Sequence, residues 1–341
     1  MVTSIMTKSF LQSIKFLLFL ICFCFVLIMD VNSNEEAKFT EWLKSFKEYA
    51  LKQGVSQQTL NLTLDNVKFL KQVIKYDRKQ PEFIEPTNVY VKKRANQNRK
   101  KIAVSKYKKN KELIHNIENK FNVEKEILLS LWGIETNFGK HVGKMDILSS
   151  LATLSFDQRR SKFFTSELIT LLKLVDSDVI KKESLYGSWA GAIGNFQFMP
   201  STIKNYAIDY NNDGNIDLKN SLQDSMASAA NYIKRIGWRY NEPCFIKVNI
   251  NKDIDTKIVN YSARNIHSKK SLKKWFKLGV QKPENFNLAT NMKAALISPD
   301  GKESLEFFLV FGNYEKILKW NRSLRFAISV CTLSTMIKNE I

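Results

Sequence analysis

Glu135 is the carboxylate whose surroundings best suit acid–base chemistry. It follows Leu128, Leu131 and Trp132 at helical spacing, so all four share one helix face. A carboxylate that ends an apolar stripe is partly withdrawn from water. That favours the neutral acid and raises its pKa toward what a general acid needs near neutral pH. A helix-edge glutamate reaching water or an arginine has the same spacing, so spacing alone leaves both readings open. A second cluster occupies residues 187–200, GSWAGAIGNFQFMP. Its glycines permit tight turns and close backbone approach. Ser188, Asn195 and Gln197 can hydrogen-bond sugar hydroxyls or amides, and Trp189, Phe196 and Phe198 offer apolar faces. This composition fits a carbohydrate groove, and equally a buried loop whose polar side chains satisfy the backbone. A third cluster is Asp209, Asn211, Asp213, Asn215 and Asp217, with Gly214 in the sixth position. These oxygen side chains match an EF-hand loop, although Asn220 stands where the bidentate Glu belongs and Asp224 lies further on. An Asx-rich turn is the competing reading. His115, His141 and His267 are scattered and form no ligand spacing.

These groups must be held by helices and one irregular loop. Apolar spacing predicts a helix through Phe39, Trp42, Leu43, Phe46 and Tyr49, and further helices over 110–121 and 163–180. The helix carrying Glu135 is expected to start at an Asn122 N-cap, with Glu124 in its first turn, and to stop near Gly139. Pro200 suits the first turn of another helix. A helix is expected over about 221–236, closed by Gly237, and one more over 313–338. Between them the pattern changes. Residues 245–250 alternate like a half-buried strand. Short strands are expected at 293–297 and 305–311, with Pro299-Asp300-Gly301 as their turn.

The net charge is +20 over 341 residues. It points to an anionic partner, which can be a polymer, a membrane surface or nucleic acid, or else to a solvated Lys-rich surface. Residues 92–111 hold ten Lys/Arg and no acid. Lys8 and Lys15 precede the apolar run 16–29, and Val31-Asn32-Ser33 follows it, which reads as an export signal. The run is short for a membrane span, though an uncleaved anchor is the alternative. Export makes nucleic acid a poor partner. Cys22 and Cys24 lie in the signal. Cys244 and Cys331 are too few for a disulfide framework and are expected as two free thiols, with pairing as the alternative.

Taken in order, Trp132-Gly133-Ile134-Glu135-Thr136-Asn137-Phe138-Gly139, then Leu151-Ala152-Thr153-Leu154-Ser155-Phe156, Arg159-Arg160 and 187–200 resemble the lytic murein transglycosylase B family. Asn231-Tyr232, Gly237-Trp238 and Trp320-Asn321-Arg322-Ser323 continue the match, which covers roughly 60–335. The resemblance implies a mainly α (α+β) fold. Its lysozyme-like helical catalytic core would span 111–243, with an added helical region at 34–110. A small β-containing insertion would fill 244–311, a helix at 312–341 would complete the core, and 1–33 would be the signal.

The resemblance also implies an enzyme that cuts the β-1,4 bond between N-acetylmuramic acid and N-acetylglucosamine and leaves 1,6-anhydromuramic ends. Glu135 would be the single acid, then base. Ser188, Gln197, Arg159, Arg160, Tyr90, Tyr232 and Asn321 would bind the glycan. Trp320 and Phe326 depart from the family, which often carries Tyr there. No cofactor is implied for the chemistry. A structural Ca²⁺ would sit on Asp209, Asn211, Asp213, Asn215, Asp217 and Asp224. The expected setting is a periplasmic monomer near a membrane and bound to peptidoglycan. A hydrolytic muramidase is the nearest alternative, with Asp146, Asp157 or Glu167 as a second carboxylate, although structural ion pairs suit those three better. A non-catalytic wall-binding protein is the other alternative.

Overall fold

The computed structural model describes residues 34–80, 84–251, 254–284 and 286–341. The export-signal reading of 1–33 lies outside them. Helix α1 covers 34–52, followed by α2 (Gln57–Leu64), α3 (Lys71–Arg78), α4 (Thr87–Arg94) and α5 (Gln97–Lys109). Next come α6 (Lys111–Phe121), α7 (Lys125–Thr136), α8 (Ile147–Phe156), α9 (Ser161–Asp176), α10 (Pro200–Tyr206) and α11 (Leu222–Arg235). Strands β1 (Met145–Asp146) and β2 (Tyr186–Gly187) form a small antiparallel pair within this helical part.

Local chemistry sets several boundaries. Ser56, Asp146, Ser221 and Ser323 each accept a backbone N–H at a helix start, which satisfies a donor the helix leaves orphaned. Asn122 does the opposite of what the sequence suggested. At φ 54° it is left-handed and stops α6, its N–H returning to Glu118 O at 2.8 Å, while Glu124 precedes α7. Asparagine tolerates that conformation, so one residue type serves at either end of a helix.

The expected helix over 313–338 is two helices, α13 (Gly312–Trp320) and α14 (Leu324–Lys338). Asn321 and Ser323 are extended, and the Ser323 cap starts the second helix afresh.

The stretch between α11 and α13 holds β3 (Phe245–Val248), β4 (Val259–Asn260), β5 (Lys270–Ser271), α12 (Leu272–Lys277), β6 (Lys293–Ile297) and β7 (Phe307–Val310). The sheet order is β3-β7-β6-β4, with β5 also on β6; only the β4–β6 pairing is parallel. Its own apolar cluster gathers Val248, Trp275, Leu296 and Leu309. The larger core runs without a break from Phe39 and Leu60 through Ile114, Leu128, Leu168 and Ile233 to Ile328. Residues 34–110, 111–243 and 312–341 therefore share one interior, and the chain is mainly α with a small β-containing insertion.

Cys244 and Cys331 are not free thiols. They form a disulfide with Cα atoms 6.0 Å apart, joining residues 87 apart in sequence. The bridge ties the start of β3 to α14. Nothing in local sequence periodicity reports such a distant approach.

Candidate active site

Glu135 sits in the last turn of α7, half-buried, with Trp132 and Thr136 buried beside it. The turn ends where Asn137 and Phe138 adopt positive φ, 50° and 60°. Phe138 thereby folds its ring back over Gly133. A Cβ on Gly133 would stand 2.7 Å from Phe138 Cζ, so the motif needs glycine there. Asn195 locks the same turn. Trp132 Nε1 donates to its Oδ1 at 2.8 Å, Thr136 Oγ1 donates to its carbonyl at 2.8 Å, and its Nδ2 donates to Lys219 O at 2.9 Å. Asn195 is buried and fully engaged, so it positions the helix and does not meet a sugar.

Trp320, at the end of α13, donates from Nε1 to Glu135 Oε1 at 2.8 Å. A hydrogen bond to a charged acceptor is short and strong, and a neutral carboxyl oxygen accepts it too. The indole therefore holds the carboxyl in one orientation through protonation and deprotonation. Trp320 stacks on Tyr232 at 5.0 Å and Tyr232 on Tyr206 at 4.3 Å, with Phe198 edge-on to Trp320 at 5.4 Å. Tyr232 donates to Lys319 O at 3.0 Å, and burial with Tyr206 alongside pushes its pKa up to about 12, so it stays a neutral donor. Tyr232 thus supports Trp320. The departure from Tyr at 320 keeps an aromatic donor; Phe326 is buried in the core.

The groove loop approaches this turn closely. A Cβ on Gly143 would be 2.1 Å from Gly187 O, so the 139–144 segment lies against β2 only because residue 143 is a glycine; a Cβ on Gly187 would in turn stand 2.2 Å from Ala192 O. Ser188 Oγ accepts Ala192 N at 2.9 Å and Ala190 N at 3.3 Å, which leaves its own proton to donate outward. Gln197, left-handed at φ 51°, donates from Nε2 to Gly194 O at 3.0 Å and Val142 O at 3.2 Å. Both are half-buried wall residues.

The remaining expected glycan contacts fall into two groups. Arg159 and Arg160, in a 3₁₀ turn at Gln158–Arg160, both pair with Asp77 of α3, which is 2% exposed; Arg159 Nε reaches its Oδ2 at 2.6 Å. No local pattern marks Asp77 as their counter-ion. Arg160 also lines an open cleft of about 620 Å³ that includes Trp320. Tyr90, by contrast, is buried, with the Arg94 guanidinium 3.4 Å over its ring. Half-buried Asn321 caps α13, its N–H on Ile317 O at 3.0 Å.

The candidate second carboxylates all have structural partners. Asp146 caps α8 through Ser149 N at 2.6 Å, Asp157 pairs with Arg78 at 2.8 Å, and Glu167 accepts from Ser201 N and Oγ at 2.8 and 2.6 Å. Several cations of 92–111 are engaged as well. Lys93 and Arg94 pair with Glu85, Lys100 with Glu340, and Lys106 sits 5.3 Å over the Trp132 ring.

The 209–217 loop has oxygen donors of the right type, and Gly214 takes the positive φ of 85° that a sixth-position turn needs. Their present partners are backbone N–H groups. Asp209 accepts Gly214 N at 2.8 Å, Asp213 accepts Asn215 N at 2.8 Å, and Asp217 accepts Asn220 N at 2.8 Å. Fully buried Asp224 accepts Tyr210 N at 2.9 Å and Asp217 N at 3.1 Å, clasping the two ends of the loop. Among the described residues no three His, Cys, Asp or Glu side chains gather as a metal set. The donor chemistry fits a hard cation, since each carboxylate has lone pairs beyond those its N–H partners use.

The sequence and the fold have known relatives. Residues 38–335 match the transglycosylase SLT domain model, SLT_2. Membrane-bound lytic murein transglycosylase B of Escherichia coli is 32% identical over 219 residues, 62% of this chain and 56% of that relative, so the match spans little more than half the curated protein's length. The crystal structure of SltB3 from Pseudomonas aeruginosa with NAG-anhNAM-pentapeptide superposes with a TM-score of 0.78 at 30% identity, over 88% of this chain and 79% of that one. Escherichia coli Slt35 in complex with calcium gives 0.73 at 27% identity, over 87% and 92%. With most of its length matched by one family model, and its fold shared with lytic transglycosylases of known structure, the chain belongs to the SLT_2 transglycosylase domain family.

Proposed function

We propose that this chain is an exported, periplasmic lytic transglycosylase, acting as a monomer on peptidoglycan glycan strands, with Glu135 as its only acid/base. The observation that carries this reading is the setting of Glu135 against that of the three other candidate carboxylates. Glu135 is held by an indole at the edge of a cleft, while Asp146, Asp157 and Glu167 are tied into caps and ion pairs. Ordinary glycosidases need a second carboxylate as nucleophile or base. A lytic transglycosylase does not. The neutral Glu135 gives its proton to the glycosidic oxygen as the muramic C1–O bond breaks, with the substrate's N-acetyl group assisting at that carbon. The ionised Glu135 then takes the proton of the muramic C6 hydroxyl as its oxygen closes on C1. The acid is regenerated and no water is consumed. Trp320 keeps the carboxyl aimed through both halves, and Ser188 has a proton to offer the bound sugar. Mass analysis of digested sacculi tests the reading. Products lighter than the hydrated muropeptides by one water are expected, whereas hydrated reducing ends alone would indicate a muramidase and overturn it.

The 209–217 loop is proposed to take a structural Ca²⁺, consistent with the calcium complex of the relative Slt35. The absent bidentate twelfth-position Glu makes binding weak. An ion present at ten times its Kd would stabilise the protein by about 1.4 kcal/mol, or about 2 °C in Tm at this chain length. Thermal melts with and without millimolar Ca²⁺ should show that rise in the wild type and none in Asp213→Ala. Identical unmoved curves for both proteins would remove the site.

A further inference from the structure

The 620 Å³ cleft beside Trp320 is lined by Arg160, Arg264, Lys319, Arg322 and Arg325, and by no acidic residue. Two of these cations are already neutralised, Arg160 by Asp77 and Arg325 by Asp300 at 2.8 Å. Lys319, Arg322 and Arg264 are exposed and form no ion pair among the described residues. They come from two parts of the chain, the end of α13 with the link that follows it, and the β-containing insertion. The positive field extends behind them: burial, and after it Lys319, push the Lys316 pKa down. Like charges converged on one wall cost free energy unless an anion answers them.

We propose that this wall is a subsite for the carboxylates of the peptide stems carried by the glycan. The inference rests on the transglycosylase reading and adds to it that the stem is recognised. The choice of anion follows from position. The wall begins at Lys319 and Trp320, and Trp320 touches the catalytic carboxyl, so a glycan reacting at Glu135 carries its own appendages past these side chains. Arg264 and Arg322 offer the planar donor pair that carboxylates accept in two parallel bonds. The insertion thereby acquires a purpose: it brings Arg264 and Tyr261 to the far side of the cleft.

The test is steady-state cleavage of glycan that keeps its peptides and of the same glycan stripped of them by an amidase. Each is assayed with the wild type, the Arg264→Gln/Arg322→Gln double variant and the matching double Lys variant. Wild type should show a KM about fivefold to tenfold lower for the stem-bearing glycan, the range two exposed ion pairs supply. In the Gln variant that preference should collapse toward one through KM, with kcat on stem-bearing glycan retained. The Lys variant should keep most of it, and added salt should erode it in the wild type. Equal KM values for the two substrates in the wild type would overturn the proposal. So would an unchanged preference in the Gln variant, or an equal loss on both substrates. Failure of wild type to cut either substrate would refute the transglycosylase reading itself, a separable result.

Discussion

Glu135→Gln is expected to lower the release of anhydromuropeptides by about 10³-fold, within the range that general acid–base catalysis contributes. The substitution is nearly isosteric. Its carbonyl oxygen can still accept the Trp320 Nε1–H that Glu135 now accepts, so the aromatic stack and the end of α7 should stay in place. What disappears is the exchangeable proton, needed once for the leaving oxygen and once more for the C6 hydroxyl. On the proposed mechanism one group serves both halves, and the alternative carboxylates Asp146, Asp157 and Glu167 are held by other partners. Sacculus digestion followed by mass analysis reads the rate, and a thermal melt reads the fold. A Gln protein that melts normally and still releases anhydro products near the wild-type rate would remove Glu135 from the reaction.

The second large effect concerns stability. The Cys244–Cys331 bridge closes a loop of 87 residues that contains the whole β-insertion. Chain-entropy arguments give about 4.6 kcal/mol for a loop of that length, and native bridges deliver about 2–4 kcal/mol. For a chain of this size that corresponds to a Tm lower by about 3–6 °C. Cys331→Ala should show that drop, and reductant should impose a similar drop on the wild type while leaving the variant where it is. Peptide mapping without reduction should recover the fragments holding Cys244 and Cys331 as one mass. Separate fragments, with a melt indifferent to reductant, would show that the two sulfurs are not bonded in the folded protein.

What could be read from the sequence was whatever depends on near neighbours. The stripe through Leu128, Leu131, Trp132 and Glu135 became α7, 293–297 became β6, and 221–236 became α11 within a residue at each end. Asn122 was misjudged because an asparagine can close one helix as readily as open the next, and only its φ decides. The run 313–338 looked continuous because apolar spacing persists through Asn321-Arg322-Ser323, yet the Ser323 cap restarts the helix. Asn195 was open to two readings, sugar ligand or buried loop residue, because its type suits both; its partners are an indole N–H, a threonine hydroxyl and a backbone carbonyl from two other segments. Asp77 beneath Arg159 and Arg160, the indole on Glu135 and the disulfide are all meetings across more than 80 residues. Such meetings are properties of the closed fold and leave no local trace.

Trp320 reaches Glu135 across 185 residues of chain, through a segment whose helix α14 packs on α7. Contacts between such distant residues are paid for in loop closure before they return anything, so they form late in folding. Until they do, the acid has no donor to fix its aim and α7 lacks its apolar cover. On the proposed reading of Glu135 as the acid, its aim is therefore gained only in the step that brings α13 and α14 against α7.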